Sequence, residues 1–256
     1  MTHAVPNAPL ADGREIPVLG FGTWQITGEE AYRSVRTALE VGYRHIDTAT
    51  MYQNESEIGR AIADSGIPRE DLFITTKLPP RRAGRARETL DASRKALGTD
   101  YVDLWLIHWP PSRNGAPELW QEFLKVRDEG LARSVGVSNY SIDQLDRLQQ
   151  ASGELPVVNQ IPWSTREHDP GILAESRRRN VVLEGYSVLK NSDLRSQVLA
   201  ELAEKYQVTP VQVVLRWHLE HGIVMIPKSV DRQRIASNFD LFGFTLTADE
   251  IERVAG

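Results

Sequence analysis

The chain contains no cysteine. That excludes disulfides, cysteine-ligated zinc and thiolate nucleophiles. No apolar run approaches the roughly 18 residues of a membrane span, and the opening "MTHAVPNAPLADG" lacks the apolar core of a signal peptide. The expectation is a cytoplasmic protein with no membrane partner. Basic residues are outnumbered, 30 against 35 acidic, and they are scattered, which argues against a nucleic-acid surface. There is no linker, charge block or low-complexity stretch to divide the chain. Missing too is the Gly-rich GxGxxG turn that doubly wound dinucleotide folds place after their first strand.

What is present is alternation. Short β-rich runs recur at Val18–Trp24, Arg44–Ala49, Leu72–Leu78, Val102–Trp109, Ser134–Asn139, Val157–Trp163, Val181–Leu189 and Ile223–Ser229. Several are continuously apolar, as suits parallel strands covered on both faces. Helical stretches lie between them. Thr27 with Glu30, Ser141 with Gln144 and Thr247 with Glu250 read as capping boxes, Thr209–Pro210 as a helix start, and Gly42 and Gly222 as stops. Eight such units in about 250 residues match an α/β fold of the (β/α)8 TIM-barrel type. "NAPLADGREIPVLG" predicts an N-terminal β-hairpin plugging the barrel bottom. Residues 1–256 are read as a single domain.

Chemistry in such a barrel sits at the carboxyl ends of the strands. There the sequence places Thr23 and Trp24, then Asp47 with Tyr52 five residues on, Lys77, His108, Ser138 and Asn139, Gln160, Tyr186, and Lys228 with Ser229. Taken singly, Asp47 reads as a cap, Lys77 as a surface residue, Tyr52 as a rim aromatic and His108 as a structural histidine. Together they point elsewhere. A buried lysine is costly without a counter-charge, and Asp47 supplies one from the neighbouring strand. An ammonium near Tyr52 lowers a phenol pKa of about 10. Tyr52 then protonates a carbonyl oxygen as its carbon is attacked, and a neutral His108 orients that oxygen. No side chain supplies hydride, so a cofactor must.

The stretches "GFGTWQ", "YRHIDTATMYQNESEIG", "LFITTKL", "DLWLIHWP", "GVSNY", "GYSVL" and "IPKSVDRQRIASN" resemble the aldo-keto reductase superfamily across nearly the whole chain, most closely its short prokaryotic 2,5-diketogluconate reductases. The resemblance implies a catalytic tetrad at Asp47, Tyr52, Lys77 and His108. It also implies a nicotinamide cofactor lying extended across the barrel mouth. Its carboxamide would be held by Ser138, Asn139 and Gln160, its ring stacked on Tyr186, with Thr23, Trp24, Ser187 and Leu189 beside it. Lys228, Ser229, the Val230 amide and Arg234 suit a 2′-phosphate, hence NADPH over NADH. Asn238 resembles an adenine contact, while Ser237 stands where many relatives carry glutamate.

Trp24, Tyr52, His108 and Trp109 are expected to wall the substrate pocket, with Tyr140 a further candidate; Trp105, Trp120, Trp163 and Trp217 read as packing residues. His218 and His221 share a helix face, but they are not HExxH and no third ligand is visible, so no metal is expected. "RRAGRARETLDASRK" reads as a solvated helix face. The brief segments "PSRNGAPELW" and "KNSDLRSQ" and the end of the chain at Gly256 predict an open, shallow site tolerant of small carbonyl compounds and keto sugars. A monomer is expected. Two alternatives stay open: a cofactor-binding sensor or interaction subunit with incidental turnover, like the potassium-channel β-subunits of the same superfamily, and Schiff-base chemistry at Lys77, since barrels host many chemistries.

Overall fold

A computed structural model describes residues 5–112 and 116–255. Two short strands open it, β1 (Asn7–Pro9) and β2 (Glu15–Pro17), paired antiparallel as the expected hairpin. Strands and helices then alternate: β3 (Gly20–Gly22), α1 (Gly28–Val41), β4 (His45–Asp47), α2 (Glu55–Ala63), β5 (Phe73–Leu78), α3 (Ala86–Leu97), β6 (Val102–Ile107), α4 (Pro117–Asp128), β7 (Ala132–Ser138), α5 (Ile142–Ser152), β8 (Val158–Pro162), α6 (Pro170–Arg178) and β9 (Val182–Tyr186). Helices α7 (Gln197–Tyr206) and α8 (Pro210–Glu220), strand β10 (Val224–Met225), and helices α9 (Arg232–Phe239) and α10 (Ala248–Ala255) complete it.

Strands β3 to β10 form one parallel sheet in sequence order. A parallel bridge between Leu19 and Met225, with the Met225 amide donating to the Val18 carbonyl, brings the two ends together. This is the (β/α)8 barrel, not a doubly wound sheet.

Period-two alternation sorts the strand residues. Trp105 and Ile107 of β6 face out into the main helix-covered core, where Trp105 stacks on Phe123 of α4 at 3.8 Å. Leu104 and Leu106 face in, joining Phe73, Val158 and Val224 above Leu10 and Ile16 of the hairpin, which seals the bottom. Trp105, Trp120, Trp163 and Trp217 are all fully buried packing residues. Climbing two residues at a time from that apolar floor, the inward columns turn polar: His45 then Asp47, Thr75 then Lys77, and Gln160 above Val158. The same climb leads to Glu184 then Tyr186, and to His108 above Leu106. The rim residues are the tops of these columns.

The capping boxes expected at Ser141 and Thr247 form, and the helix start at Thr209 proves to be a further box with Gln212. The box expected at Thr27 does not form. Gly28 enters α1 at φ 57°, and Thr27 makes no side-chain cap bond; a left-handed first residue removes the geometry the box requires. The observed strands are shorter than the β-rich runs, because Trp24, Trp109, Asn139 and Lys228 leave the ladder for the rim. The expectation of a brief loop after β6 rests partly on residues 113–115, and that of an early end on Gly256. Both lie outside the described residues.

Candidate active site

Lys77 is fully buried near the top of β5. Its Nζ donates to both Asp47 oxygens at 2.7 Å and to the Thr48 carbonyl at 2.8 Å, and lies 3.5 Å from the Tyr52 hydroxyl. Burial is the strongest single influence and pulls the ammonium pKa down, but Asp47, Tyr52 and Glu184 together outweigh it, and Lys77 ends above its ordinary value. Burial raises Asp47, against the pull of Lys77 and of a Gln160 amide at 2.9 Å. The pair is an ammonium and a carboxylate.

Tyr52 sits on a short 3-10 turn, Thr50–Tyr52, after β4. Buried Asn54 ties that turn down: its Nδ2 donates to the Thr23 and Ile26 carbonyls, and its Oδ1 accepts from Thr48. The Thr50 hydroxyl donates to the Lys77 carbonyl. The rings of Tyr52 and His108 meet edge to face at 5.7 Å. Lys77 lowers the phenol pKa, as expected, but the net shift is upward. Burial is the largest cause, and the Asp47 charge opposes the pull of Lys77. The resting phenol therefore keeps its proton. His108 is held neutral, down to about 3, first by burial and then by Lys77. Its buried Nδ1 has no partner among the described residues.

Beside the tetrad, Ser138 Oγ donates to the Gln160 carbonyl at 2.8 Å. Asn139 Nδ2 donates to the His108 carbonyl and to Ser138 Oγ, and Asn139 Oδ1 accepts from the Tyr186 hydroxyl at 2.7 Å. Asn139 and Ser187 hold left-handed backbones at φ 64° and 56°, as do Gln25 and Gln53, immediately after Trp24 and Tyr52, at φ 61° and 55°. Four such non-glycine residues around one rim is the strain pattern of a functional site.

A nicotinamide cofactor carrying a 2′-phosphate fits these residues. Tyr186 offers a half-buried ring. Gln160 Oε1 takes no hydrogen bond from a described residue. Exposed Lys228 and Arg234 make no ion pair among the described residues, and they flank Ser229 and Val230 ahead of α9. Unpaired cations at a helix start suit an anion. Leu189, Ser187 and Asn238 lie on the two segments that carry these groups. Thr23 is fully buried, and its hydroxyl donates to the Asp47 carbonyl at 2.9 Å, which ties the end of β3 to Asp47. Tyr140 is buried in the core. Trp24 and Trp109 stand 56 % and 48 % exposed at the mouth, joined by Met51 at 45 %.

Sequence reasoning missed His45, Asn54 and Glu184. The signal for two of them was the strand period: His45 and Glu184 lie two residues before Asp47 and Tyr186 and so share their inward face. His218 is committed to packing, with both ring nitrogens against the Val214 and Trp163 carbonyls. The arginines of the α3 region, Arg82, Arg85, Arg87 and Arg94, all pair with acids on the surface. A groove of about 880 Å³ at the opposite end of the barrel is lined by Arg14, Arg44, Asp103 and Arg133 and includes no tetrad member.

The sequence pattern of the aldo/keto reductase family matches residues 18–256. Methylglyoxal reductase DkgA of Escherichia coli K12 is 42% identical over 250 residues, covering 96% of this chain and 91% of that protein. 2,5-Diketo-D-gluconic acid reductase B of Corynebacterium sp. is 40% identical over 257 residues, covering 98% and 93%. The crystal structure of a Bombyx mori aldo-keto reductase in complex with NADP superimposes with a TM-score of 0.93 at 36% identity, covering 99% of this chain and 92% of that one.

Proposed function

The chain belongs to the aldo/keto reductase family, and from that premise we propose that it is an NADP-dependent oxidoreductase reducing small aldehydes and ketones to alcohols, with Tyr52 as proton donor. NADPH, when bound, supplies the hydride to the carbonyl carbon. The chain's own residues supply the rest. The Tyr52 O–H bond breaks and the alcohol O–H forms, leaving a phenolate beside the Lys77 ammonium, which stabilises it until solvent returns the proton. Neutral His108 hydrogen-bonds and orients the carbonyl oxygen. Asp47 keeps Lys77 charged in a site where burial alone would discharge it.

One observation carries this reading: a fully buried ammonium, anchored by a carboxylate, is aimed at the phenol hydroxyl. The same anchoring argues against Schiff-base chemistry, because a protonated Lys77 has no lone pair for a carbonyl carbon. Ser138, Asn139, Gln160, Tyr186, Ser187 and Leu189 hold the nicotinamide end. Lys228, Ser229, Val230 and Arg234 hold the 2′-phosphate, and Asn238 the adenine. Exposed Trp24 and Trp109 wall a shallow pocket with Tyr52 and His108. Keto sugars, glyoxals and small aromatic aldehydes suit it, in line with the activities that name the two bacterial relatives. We read residues 1–256 as one barrel domain working as a cytoplasmic monomer on small molecules, not nucleic acid. No described helix is long and apolar enough to cross a membrane.

Fluorescence titration with NADPH and NADH, followed by a carbonyl screen, tests the reading. Tighter binding of NADPH and turnover of methylglyoxal or a diketo sugar are expected. Cofactor binding without turnover on any carbonyl would favour the sensor alternative.

A further inference from the structure

We propose that Glu184 is a positioning residue for this reduction: it pins the Gln160 amide so that Gln160 Oε1 presents an acceptor to the amide hydrogens of the nicotinamide carboxamide. The proposal rests on the cofactor reading above.

Glu184 lies in the middle of β9, fully buried, in register with Gln160 of β8 and Val224 of β10. A carboxyl inside the barrel calls for a reason. Its Oε2 accepts from Gln160 Nε2 at 2.7 Å, and the same Nε2 donates to Asp47 Oδ2 at 2.9 Å. A primary amide has two N–H groups, and these two carboxyls consume both. Flipping Gln160 would set its carbonyl oxygen against two carboxyl oxygens. The amide orientation is thus determined, and Oε1 remains as the end with no protein partner among the described residues.

The charge balance requires Glu184 to be the neutral member. The groups facing it are His45 and Asp47 from β4, Tyr52 beyond β4, Lys77 from β5 and Gln160 from β8, while β10 presents only Val224 and Met225. One ammonium cannot neutralise two carboxylates. Burial first, then the Asp47 charge, pushes Glu184 up to about 8. Its second oxygen, Oε1, makes no hydrogen bond and lies 3.5 Å from His45 Nε2, a ring that burial keeps neutral. Gly20 makes room for that ring, since a Cβ there would stand 2.6 Å from His45 Nδ1. As a carboxylic acid, Glu184 accepts from Gln160 at one oxygen and carries its proton on the other, toward His45. Ionised, it would add a second negative charge beside Asp47.

The test compares wild type, Glu184→Leu and Glu184→Gln, binding NADPH and its acetylpyridine analogue, in which the carboxamide NH2 is a methyl group. Wild type is expected to prefer NADPH. Glu184→Leu, which removes one of the two acceptors that fix Gln160 and leaves only Asp47, is expected to bind NADPH about three- to tenfold more weakly while binding the analogue nearly as before. Glu184→Gln, an amide of the same shape, is expected to restore most of that preference. In the pH profile of kcat/KM, a step near pH 8 present in wild type is expected to disappear in Glu184→Gln. Equal discrimination by wild type and Glu184→Leu would overturn the proposal. If Glu184→Leu does not fold, Glu184→Ala takes its place in the same comparison, and discrimination equal to wild type there would overturn the proposal. A wild type that binds neither nucleotide would overturn the cofactor reading itself, a result distinct from both.

Discussion

Lys77 Nζ stands 2.7 Å from each carboxylate oxygen of Asp47, inside a barrel where neither residue is more than 2 % exposed. Removing one partner strands the other as an unpaired buried charge. Asp47→Asn and Lys77→Met are each expected to cost about 3–5 kcal/mol. The double variant should cost less than the sum of the two. Urea unfolding of all four proteins measures this, and simple additivity would show that the pair does not act as a unit.

Tyr52 has little structural role beyond a 3.5 Å contact with Lys77 and an edge-to-face ring contact. Tyr52→Phe should lower kcat by about 10²–10⁴ while leaving NADPH binding and folding nearly intact. Turnover at the parent rate would remove Tyr52 as the acid.

Three buried histidines link stability to acid. His45 and His108 are held down to about 3 and His218 to about 4, against an ordinary 6.5, chiefly by burial. The unfolded chain takes up protons below that ordinary value and the folded chain does not. Their contribution is therefore complete above pH 6.5 and is lost as pH falls toward the folded values. Each ring adds up to about 1.4 kcal/mol per pH unit in that window. Urea midpoints measured across it should fall steeply, and replacing His218 with Gln should make the slope shallower.

Glu184 acts in the opposite sense. Raised from 4.5 to about 8, it keeps a proton that the unfolded chain releases. Its contribution is complete below the unfolded value and is lost as pH rises through about 8. Glu184→Gln removes that dependence. The variant should be more stable than wild type near pH 8 by about 2–4 kcal/mol, with the gap closing as pH falls toward 4.5. A gap that does not vary with pH would contradict this.

Lys228 and Arg234 are exposed cations that make no ion pair among the described residues. Lys228→Ala and Arg234→Ala should each weaken NADPH binding about tenfold, the loss of one charge-assisted hydrogen bond. NADH binding should change little. Equal losses for both nucleotides would place these side chains away from the 2′-phosphate.

The barrel, its hairpin plug and the rim positions of Asp47, Lys77, His108 and Tyr186 were legible because they depend on local rules. A strand has period two, a parallel strand is apolar on both faces, and a helix announces its caps at Ser141, Thr209 and Thr247. Where a rule met a special backbone it failed, as at Thr27 beside left-handed Gly28. The surroundings of Thr23 and Tyr140 were not legible, because they depend on residues distant along the chain. In the fold, Thr23 spends its hydroxyl on the Asp47 carbonyl and Tyr140 turns into the core.

Order along the chain settles which residues end each stave, since the pattern of apolar and polar side chains dictates where a strand starts, stops and faces. Protonation states are not written there. Whether Tyr52 holds its proton, whether His108 is neutral and whether Glu184 is an acid all depend on how much water has been removed and which charges lie within a few ångströms. Those distances join β4, β5, β8 and β9, up to 137 positions apart from Asp47 to Glu184, and only closure of the barrel brings them together.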